Sequence, residues 1–412
     1  MKVLLSAYAC EPDKGSEPAV GWNWVRQVSR FHEVWVITRA NNREPIEKAL
    51  AKNPLPNAHF IYFDLPHWAR FWKRGQRGAH LYYYLWQLGA YFAVRKWHQR
   101  VGFDLTHHVT FGQYWTPSFV ALLPIPFVWG PVGGGESAPA SFRSGFSLRG
   151  RVFEVLRDLA RNLARLDPLL RFIARRSRFA LATTEQTAKR LKQLGAQNVL
   201  VVPQFAMTSD ECELFAHFPV RQGAPFRVIS IGRLIHWKGH HLALRAFASF
   251  HQRVPDSEYW VVNSGSEMGR LQALAKRLGV GKSVVFWGKL PTLEDVYSRL
   301  AECDVLIHAA LHEAFGNVCL EAMAAGRPVI CLDLGGPALQ VTEETGIKVP
   351  AICPEQAVRD LAAAMVKLAT DPALGSRMGD AARERVKQYF AWDKKGELAL
   401  ELYNGIAARV GG

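Results

Sequence analysis

Apolar and polar positions along the chain alternate between short β-branched runs and longer helix-like stretches. Residues 2–8 and 34–37 are strand-like apolar runs, and a helix-like stretch begins between them near Val20. Comparable runs follow at 127–129, 180–184, 198–202 and 226–231, the last leading into a helical stretch at 240–253. Short apolar runs separated by helices are typical of parallel sheets covered on both faces. The pattern therefore predicts an α/β protein with two doubly wound halves.

Two glutamates stand out in the second half, Glu313 and Glu321, separated by seven residues. Glu313 precedes Gly316, after which an apolar, helix-favouring run continues to a stop at Gly326 and Pro328. The free N–H groups at such a helix start bind anions, and carboxylates accept hydrogen bonds from sugar hydroxyls. Two surface glutamates of one helix often fall at this spacing, so the pair alone is a weak signal.

A second motif lies about eighty residues upstream. The apolar run 226–231 reads as a buried strand, Gly232 ends it, and Arg233 and Lys238 follow. Ligands of open α/β sheets bind beyond the carboxyl ends of the strands, which is where these two cations would lie. A guanidinium fork and an ammonium at that position can neutralise a diphosphate leaving group.

Together these motifs resemble the family-4 retaining glycosyltransferases of the GT-B fold. The resemblance extends in order and at plausible spacing over most of residues 226–393, and the N-terminal half matches more loosely. It is carried by 230–234 with 237–239, 263–266, 285–290, Glu313–Gly316 with Leu320–Ala322, 326–330, 333–336 and Phe390–Trp392.

The resemblance implies two Rossmann-like, doubly wound parallel-sheet domains facing a cleft. We expect an N-terminal acceptor-binding domain at 1–205 and a C-terminal domain binding the nucleotide sugar at 224–390. The irregular, polar stretch 204–224 is predicted to be the linker between them. A last helix, at about 393–412, is expected to pack back on the first domain.

The implied activity is transfer of a hexose-type sugar from a nucleotide diphosphate sugar, a UDP-sugar rather than a GDP-sugar, with retention. The implied acceptor is a glycan or lipid-linked molecule of cell-envelope polysaccharide or glycolipid synthesis. Because the chain has no Asp-x-Asp pattern, we expect no metal and no cofactor, the nucleotide sugar being a substrate. A same-face displacement, in which the leaving phosphate helps to deprotonate the acceptor, is the more economical route.

The resemblance also assigns roles to single residues. Arg233, Lys238 and the helix start at 316–318 would meet the diphosphate charge, Glu313 would position the sugar hydroxyls, and Glu321 would bind the ribose. The implied donor-binding set is Gly232, Gly265, Lys289, Leu290, Phe315, Gly316, Asn317, Val318 and Glu321.

Two glycine-containing loops of the first half are candidates for contact with the acceptor or a phosphate. Gly15 and Ser16 lie in the loop between the first strand and the first helix, a natural anion contact. Gly133 and Gly134 belong to a run of three glycines after a strand, which lets a backbone approach a ligand closely. A flexible loop explains the three glycines equally well.

Two adjacent histidines lie within residues 103–110, which are predicted to form a strand ending at the cleft. Many relatives place a histidine at this strand end, directed at the donor sugar. Alternation sends the side chains of His107 and His108 to opposite faces, so only one can reach the cleft. We favour His108 for that position and expect His107 to be a hydrogen-bonded core residue.

Positive charge is concentrated in the first half of the chain. Residues 1–210 hold 28 Lys and Arg against 14 Asp and Glu, a net charge of +14, whereas the remainder holds 23 against 22. The excess lies in 67–77, which also contains Trp68, Phe71 and Trp72, and in 149–178. Such stretches suit an anionic membrane surface or acceptor, although a solvated arginine-rich helix face has the same composition. No nucleic-acid-binding module accompanies them.

Other bulk properties fit an ordinary enzyme of two domains. The chain has 412 residues, 49% hydrophobic and 21% charged, with six scattered cysteines that show no metal spacing. The first apolar run is too short for a signal-peptide core, and no run approaches a spanning helix. We therefore expect a cytoplasmic protein with reduced thiols, with peripheral binding to the inner face of the cytoplasmic membrane as an extension of that expectation.

Two alternative functions remain open at this point. A sugar-nucleotide epimerase of the same shape would convert the donor without an acceptor. A non-catalytic protein that binds nucleotide sugars would not need to keep Lys238 and Glu313, and both are present. The sequence does not identify the base, the sugar, the acceptor, the linkage or the oligomeric state.

Overall fold

The computed structural model describes residues 1–70, 78–219, 221 and 223–410 of the chain. They form two compact units. The first unit contains 1–135, 160–206 and the C-terminal segment from Trp392, and the second contains 136–159 and 207–391.

Thirteen strands are present in the described residues, seven in the first unit and six in the second. Those of the first unit are β1 (Lys2–Ser6), β2 (Glu33–Arg39), β3 (Ala58–Phe63), β4 (Leu105–His108), β5 (Phe127–Val132), β6 (Ser177–Ala182) and β7 (Val199–Val201). Those of the second are β8 (Phe226–Ile231), β9 (Ser257–Val262), β10 (Val284–Gly288), β11 (Val305–His308), β12 (Val329–Leu332) and β13 (Gly346–Val349).

Helices connect the strands in both units. In chain order they are α1 (Glu17–Val28), α2 (Arg43–Lys52), α3 (His67–Arg70), α4 (Ala79–Val101), α5 (Leu148–Ala164), α6 (Pro168–Arg176), α7 (Glu185–Leu194), α8 (Ser209–Ala216), α9 (His240–His251), α10 (Met268–Arg277), α11 (Leu293–Ala301), α12 (Asn317–Ala324), α13 (Gly335–Gln340), α14 (Pro354–Thr370), α15 (Pro372–Tyr389) and α16 (Trp392–Val410).

Each unit has one parallel sheet. The strand order is β3-β2-β1-β4-β5-β6-β7 in the first unit and β10-β9-β8-β11-β12-β13 in the second. Every paired strand runs parallel to its neighbour, as in β1 with β4 and β8 with β11. In both sheets the order reverses beside the first strand, which is the doubly wound arrangement. The α/β prediction of two Rossmann-like parallel sheets is confirmed.

Several central strands are buried along their whole length because helices cover both faces of each sheet. All four residues of β11 and of β12 are buried, as are all six of β5. A continuous apolar run is what a strand buried on both faces requires. These runs are why the sequence alone reveals the strands.

The two units have separate hydrophobic cores. One core draws on strands β1, β2, β3, β5 and β6 and helices such as α4 and α7, and the other on β8 to β13 with α9 and α14. Phe142 and Phe146, which lie in the N-terminal half of the sequence, belong to the core of the second unit. The segment 136–159 therefore folds with the second unit, whereas the expected boundary keeps it within 1–205.

The C-terminal helix α16 belongs to the first unit. Its first residue, Trp392, packs edge-on against Trp24 of α1, with the ring centres 6.2 Å apart. Asp393 Oδ1 accepts a hydrogen bond from the guanidinium of Arg30 at 2.6 Å. Along the same helix, the Tyr403 hydroxyl lies 2.5 Å from the ring of His107.

The prediction of an irregular stretch over 204–224 is wrong at helix α8. Thr208 caps this helix, accepting from the amide of Glu211 while the Glu211 carboxylate accepts from the amide of Thr208. This reciprocal capping box satisfies two amides that a short helix would otherwise leave free.

Among the described helices, none is both long enough and apolar enough to span a bilayer.

Candidate functional site

The candidate donor site lies at the carboxyl ends of β8 and β11 in the second unit. These two strands are neighbours at the point where the strand order reverses. The loop after β8 carries Arg233 and Lys238, and the loop after β11 carries Glu313 and Gly316. Crevices at such switch points are where open α/β sheets bind ligands. The fold therefore brings both sequence motifs to the same edge of one sheet.

An ion pair joins the two loops. The Lys238 ammonium donates to the Glu313 carboxylate, and both side chains are mostly buried. Backbone contacts hold the loops together as well, since the Leu311 amide donates to the Trp237 carbonyl at 2.8 Å. Gly239 packs so closely on the Ala309 carbonyl that a side chain has no room there. Contacts within the protein thus hold the lysine next to the carboxylate.

Glu313 is ionised at neutral pH. Burial by itself would raise its pKa, but Lys238 and the nearby His308 outweigh burial and lower the pKa of Glu313 to about 2. His308, at the end of β11, lies with Nε2 3.7 Å from the carboxylate, and burial lowers the pKa of that imidazole. A buried, ionised carboxylate is a strong acceptor for hydroxyl donors.

Arg233 differs from Lys238 in its surroundings. Its side chain is exposed, and it forms no ion pair with any other residue that the structure describes. The backbone beside it is fixed: Leu234 donates to the Ser264 carbonyl at 3.0 Å and accepts from the Glu267 amide at 2.9 Å. The absence of a side chain at Gly265 permits this approach, because a Cβ there would overlap the Leu234 backbone. Gly232 has open space around it.

Helix α12 begins immediately after Gly316, as the sequence predicts. Gly316 is its N-cap residue, with a left-handed φ of 74° that favours glycine. The first amides of the helix, those of Asn317 and Val318, have no acceptor one turn earlier within a helix. Phe315 is fixed through its carbonyl, which accepts from Gln340 Nε2 at 2.6 Å. The arrangement is that of an anion site at a helix N-terminus.

Glu321 lies on the second turn of α12, and its pKa is shifted in the direction opposite to that of Glu313. Burial, with a smaller contribution from the charge of Glu211, raises the pKa of Glu321 to about 7. Its side chain is half-buried. At neutral pH the carboxyl of Glu313 is therefore fully ionised, whereas that of Glu321 is close to the midpoint of its titration.

Lys289 and Leu290 follow β10, which is the edge strand of the sheet. Lys289 is exposed and Leu290 is half-buried. Gly288, just before them, pairs with Asn263 at the end of β9. Lys289 and Leu290 thus lie at the carboxyl ends of the strands, as the donor loops do, and two strands away from β8.

A buried carboxylate that the sequence reasoning missed connects the same two loops. Glu154 of α5 has no exposed side-chain surface, and its Oε1 lies 2.9 Å from His312 Nε2 and 3.1 Å from His236 Nε2. His312 immediately precedes Glu313, and His236 lies two residues before Lys238. Burial would raise the pKa of Glu154, but His312, His236 and Arg157 lower it to about 2.

Aromatic rings enclose this Glu154 cluster. Trp237 stacks on His312 with the ring centres 5.2 Å apart, and Phe153 of α5 stacks on Trp237 at 5.5 Å. The two histidines beside the motif residues were a signal in the sequence. Glu154 was not, because it is separated from His312 by 158 positions.

The two candidate loops of the first unit also follow the carboxyl ends of strands, β1 and β5, which are separated in the sheet by β4. Gly15 and Ser16 are exposed, and Ser16 has a left-handed φ of 64°. The Gly133 amide donates to the Gly112 carbonyl at 2.6 Å. A side chain at Gly134 would overlap Trp115. The glycine run therefore has a structural role, because it permits close packing independently of any ligand.

The two histidines of β4 are both buried. His107 is hydrogen-bonded on both ring nitrogens, to the Tyr403 hydroxyl and, at 2.6 Å, to the Gly130 carbonyl. His108 has only the Tyr83 hydroxyl at 3.5 Å, and its Nδ1 has no partner among the described residues. Burial lowers the pKa of His107 to about 4, and burial together with His107 lowers that of His108 to about 3. Both imidazoles are neutral at pH 7.

No group of three or more His, Cys, Asp or Glu side chains within the described ranges is placed to hold a metal ion. The loops of the candidate donor site carry an ammonium, a guanidinium and helix amides, all of which suit an anionic group.

Comparison with known proteins finds a family similarity within the second unit. Residues 216–385 match the sequence profile of the family described as glycosyl transferases group 1. The chain is 34% identical over 195 residues to D-inositol 3-phosphate glycosyltransferase of Corynebacterium jeikeium, covering 45% of each protein. It is 30% identical over 185 residues to the lipopolysaccharide core biosynthesis glycosyltransferase LpsD of Rhizobium meliloti, covering 45% of this chain and 51% of that protein. The chain thus spans about half the length of the curated relatives it matches.

Similarity of fold extends over the whole chain. The crystal structure of HepE from Anabaena, in complex with UDP and glucose, aligns with 98% of this chain and 99% of its own at a TM-score of 0.60. Sequence identity in that alignment is 18%, so the likeness concerns the fold. The fold is GT-B, and residues 216–385 are similar to the glycosyl transferases group 1 family.

Proposed function

We propose that the protein is a glycosyltransferase that moves a hexose-type sugar from a nucleotide diphosphate sugar to a glycan or lipid-linked acceptor. The observation that carries the proposal is the Lys238–Glu313 pair beside the start of α12, at the switch point of the second sheet. It combines what a sugar diphosphate needs: cations and amides for the phosphates, and an ionised carboxylate for the hydroxyls.

In the proposed reaction, the bond between the anomeric carbon and the β-phosphate oxygen breaks as an acceptor oxygen bonds to that carbon. The acceptor proton passes to the departing phosphate oxygen. Lys238, Arg233 and the amides of Asn317 and Val318 stabilise the charge that develops on the diphosphate. Glu313 orients the sugar through its hydroxyls, which lowers the entropic cost of reaching the reactive geometry.

Retention by a same-face displacement is part of the proposal. Double displacement would require a carboxylate nucleophile at the anomeric carbon. The neighbours of Glu313 are an ammonium and an imidazole, Lys238 and His308, and Glu313 is itself engaged by both. This environment supports a carboxylate that positions the sugar rather than one that attacks it.

We propose a UDP-sugar as donor, an acceptor of the cell envelope and turnover without a metal ion. Support for the donor comes from HepE, whose structure contains UDP and glucose. Support for the acceptor class comes from LpsD, named for lipopolysaccharide core biosynthesis. Support for metal-independent turnover is the basic set that faces the diphosphate position. Activity should survive a chelator, and activity that returns only with a divalent ion would contradict this part.

A cytoplasmic location at the inner face of the membrane is the corresponding proposal for the site of action. It is supported by the net charge of +14 in residues 1–210. Of the aromatic-basic stretch 67–77, Trp68 is 78% exposed and Arg70 lies 3.6 Å from Asp64. Phe71, Trp72, Lys73 and Arg74 lie outside the described residues.

The test is a panel of nucleotide sugars read by thermal shift, followed by product analysis with the donor that stabilises most. We expect a UDP-sugar to raise the melting temperature and its sugar to appear on an acceptor with the anomeric configuration retained. Glu313→Gln should lower turnover more than affinity for free nucleotide. Conversion of the donor without an acceptor would indicate an epimerase, and tight binding without any turnover would indicate a binding protein.

A further inference from the structure

His308, the last residue of β11, lies beside the ion pair of the donor site. Its side chain is 5% exposed, and Nε2 lies 3.7 Å from Glu313 Oε2, the oxygen that also accepts from the Lys238 ammonium. A separation of 3.7 Å is beyond hydrogen-bond distance, and within the described residues Nε2 has no hydrogen-bond partner. Burial of an unpartnered polar atom is costly and uncommon, so this nitrogen is a candidate for a role in the reaction.

The hydrogen of the neutral His308 ring belongs on Nε2. Burial has the largest influence on this imidazole and lowers its pKa, while Glu313 raises the pKa and Lys238 lowers it. The ring is therefore neutral at pH 7, with one N–H and one lone pair. A lone pair that faced the ionised Glu313 would be repelled, so the N–H faces the carboxylate. His308 is thus a second hydrogen-bond donor for Glu313, slightly too far away to bond while Lys238 holds the same oxygen.

The other titratable groups around His308 carry no charge at pH 7. His240 of α9 interacts with it electrostatically, but burial lowers the pKa of His240 to about 3. Cys331, its partner in the register of β12, has a pKa that burial raises to about 12. Lys238 and Glu313 are therefore the charged groups that act on His308 within the part of the chain that the structure describes.

The proposed reaction makes two demands on Lys238. In the structure its ammonium donates to Glu313, whereas in the reaction it stabilises the charge of the diphosphate. An ammonium is a compact charge on a flexible stem, so it can turn from one anion to the other. When it turns, Glu313 remains a buried carboxylate that has lost its strongest partner, which is costly unless another donor replaces the lysine.

We propose that His308 is a positioning residue that replaces Lys238 on Glu313 when the lysine turns to the diphosphate. The Nε2–H then donates to the carboxylate and keeps it directed at the sugar hydroxyls. The inference rests on the proposed function and adds to it one residue and one exchange of hydrogen-bond partners. His308 is suited to this role because all four residues of β11 are buried, and a rigid strand holds a side chain more precisely than a loop does.

The exchange of partners should also change the ionisation of His308. Lys238 lowers the pKa of this imidazole and Glu313 raises it, so moving the ammonium away leaves the influence of the carboxylate. The negative charge of a bound diphosphate acts in the same direction, because it favours the imidazolium. The pKa of His308 should therefore rise when nucleotide binds, and also when Lys238 is replaced by alanine.

The kinetic test compares two substitutions of His308, with the nucleotide sugar that the thermal-shift panel selects. His308→Leu removes the donor and should lower kcat about 10- to 100-fold, as loss of a hydrogen bond to a charged group does. Its Kd for free UDP should stay unchanged, because free UDP has no sugar for Glu313 to orient. His308→Gln places an amide N–H near the position of Nε2 and should keep kcat within about threefold of normal.

His251, at the other end of helix α9, provides the matched control. Its two ring nitrogens lie 2.9 Å from the Ser257 hydroxyl and 3.1 Å from the Ser283 hydroxyl, so both have partners. His251→Leu removes an imidazole from the same unit and should leave kcat unchanged. The melting temperature of every variant is measured alongside, so that loss of folded protein is not mistaken for loss of turnover.

The second test follows the imidazole by NMR between about pH 5 and pH 8, the range in which histidines titrate. The chain has 14 histidines, so the His308 signal is assigned as the one that His308→Gln lacks. Its pKa should rise with saturating UDP, and in Lys238→Ala without any nucleotide.

The proposal is overturned if His308→Leu keeps a normal kcat, or if His308→Gln loses as much activity as His308→Leu, which would indicate a packing role. It is also overturned if the pKa of His308 is the same in Lys238→Ala as in the unaltered protein, a measurement that remains possible if the leucine variant does not fold. Failure of the proposed function would appear instead as no sugar transfer by the unaltered protein with any nucleotide sugar of the panel.

Discussion

Lys238 is the residue whose removal should affect the chemical step most. Its ammonium is held by Glu313 at the place where the diphosphate would lie. Lys238→Ala should reduce kcat about 10²–10³-fold, as loss of a donor that stabilises transition-state charge does. Lys276→Ala, on the exposed face of α10, is the control and should leave kcat unchanged. A normal kcat in the Lys238→Ala variant would show that Lys238 takes no part in the chemical step.

We expect Glu321 to make the affinity for the nucleotide sugar depend on pH. Its pKa of about 7 in the folded protein lies above the usual value of 4.5, so its carboxyl binds a proton that the unfolded chain has already lost between those values. Its contribution to stability is therefore fully present below about pH 4.5 and is lost as the pH rises through 7.

Ribose hydroxyls donate hydrogen bonds, so binding of the nucleotide sugar should favour the carboxylate form of Glu321. Affinity for an intact nucleotide sugar, whose diphosphate does not titrate in this range, should rise about tenfold from pH 6 to pH 8. Titration calorimetry at several pH values measures this. Glu321→Gln should bind more weakly at pH 8 and show no such slope; an unchanged slope would mean that another group titrates.

At the scale of single elements, the start of α12 depends on the backbone of Gly316. A Cβ at its φ of 74° is strained and would lie 3.0 Å from Pro337. Gly316→Ala should lower the free energy of unfolding by about 1–2 kcal/mol and weaken nucleotide binding. Gly269→Ala, in open space within helix α10, is the matched substitution and should be neutral or slightly stabilising. Denaturant unfolding distinguishes the two.

Helix α5 fixes the loops of the donor site through Glu154. Glu154→Gln keeps the shape but removes the charge between His236 and His312, so the free energy of unfolding should fall by about 1–3 kcal/mol. As a positioning residue, it should affect kcat more than KM and increase hydrogen exchange in residues 235–239 and 310–316.

Asp158→Asn is the control for Glu154, because Asp158 lies on the same helix and pairs instead with Arg143. It should leave exchange in the two donor loops unchanged. If both substitutions increase hydrogen exchange in those loops equally, Glu154 has no positioning role and only stabilises α5.

At the scale of the whole molecule, two cores should respond separately to ligand. Because the donor residues belong to the second unit, free nucleotide at a hundred times its Kd should stabilise that unit by about 2.7 kcal/mol. Hydrogen exchange should show the protection in β8 to β13 and their helices. Equal protection of β1 to β7 would show that the chain unfolds as one cooperative block.

The sequence predicts much of the second unit because its motifs are local. The strand before Gly232 and the helix after Gly316 are each encoded within a dozen residues, and both occur as expected. The same holds for the apolar runs that became β2 and β5, which extend a few residues beyond the predicted limits.

What sequence reasoning missed depends on contacts between distant positions. The structural role of Glu154 is recognisable only beside His236 and His312, and that of Phe142 only within the core of the second unit. No periodicity records such pairings.

The division of the chain has a consequence for building chimeras. The chain passes between the units at 135/136, 159/160, 206/207 and 391/392, so one crossover in the linker cannot exchange a complete unit. A hybrid joined at 206/207 would combine the Phe142 and Phe146 of one parent with a core shaped by the other. A new first unit should therefore be grafted in segments that leave residues 136–159 with their own second unit.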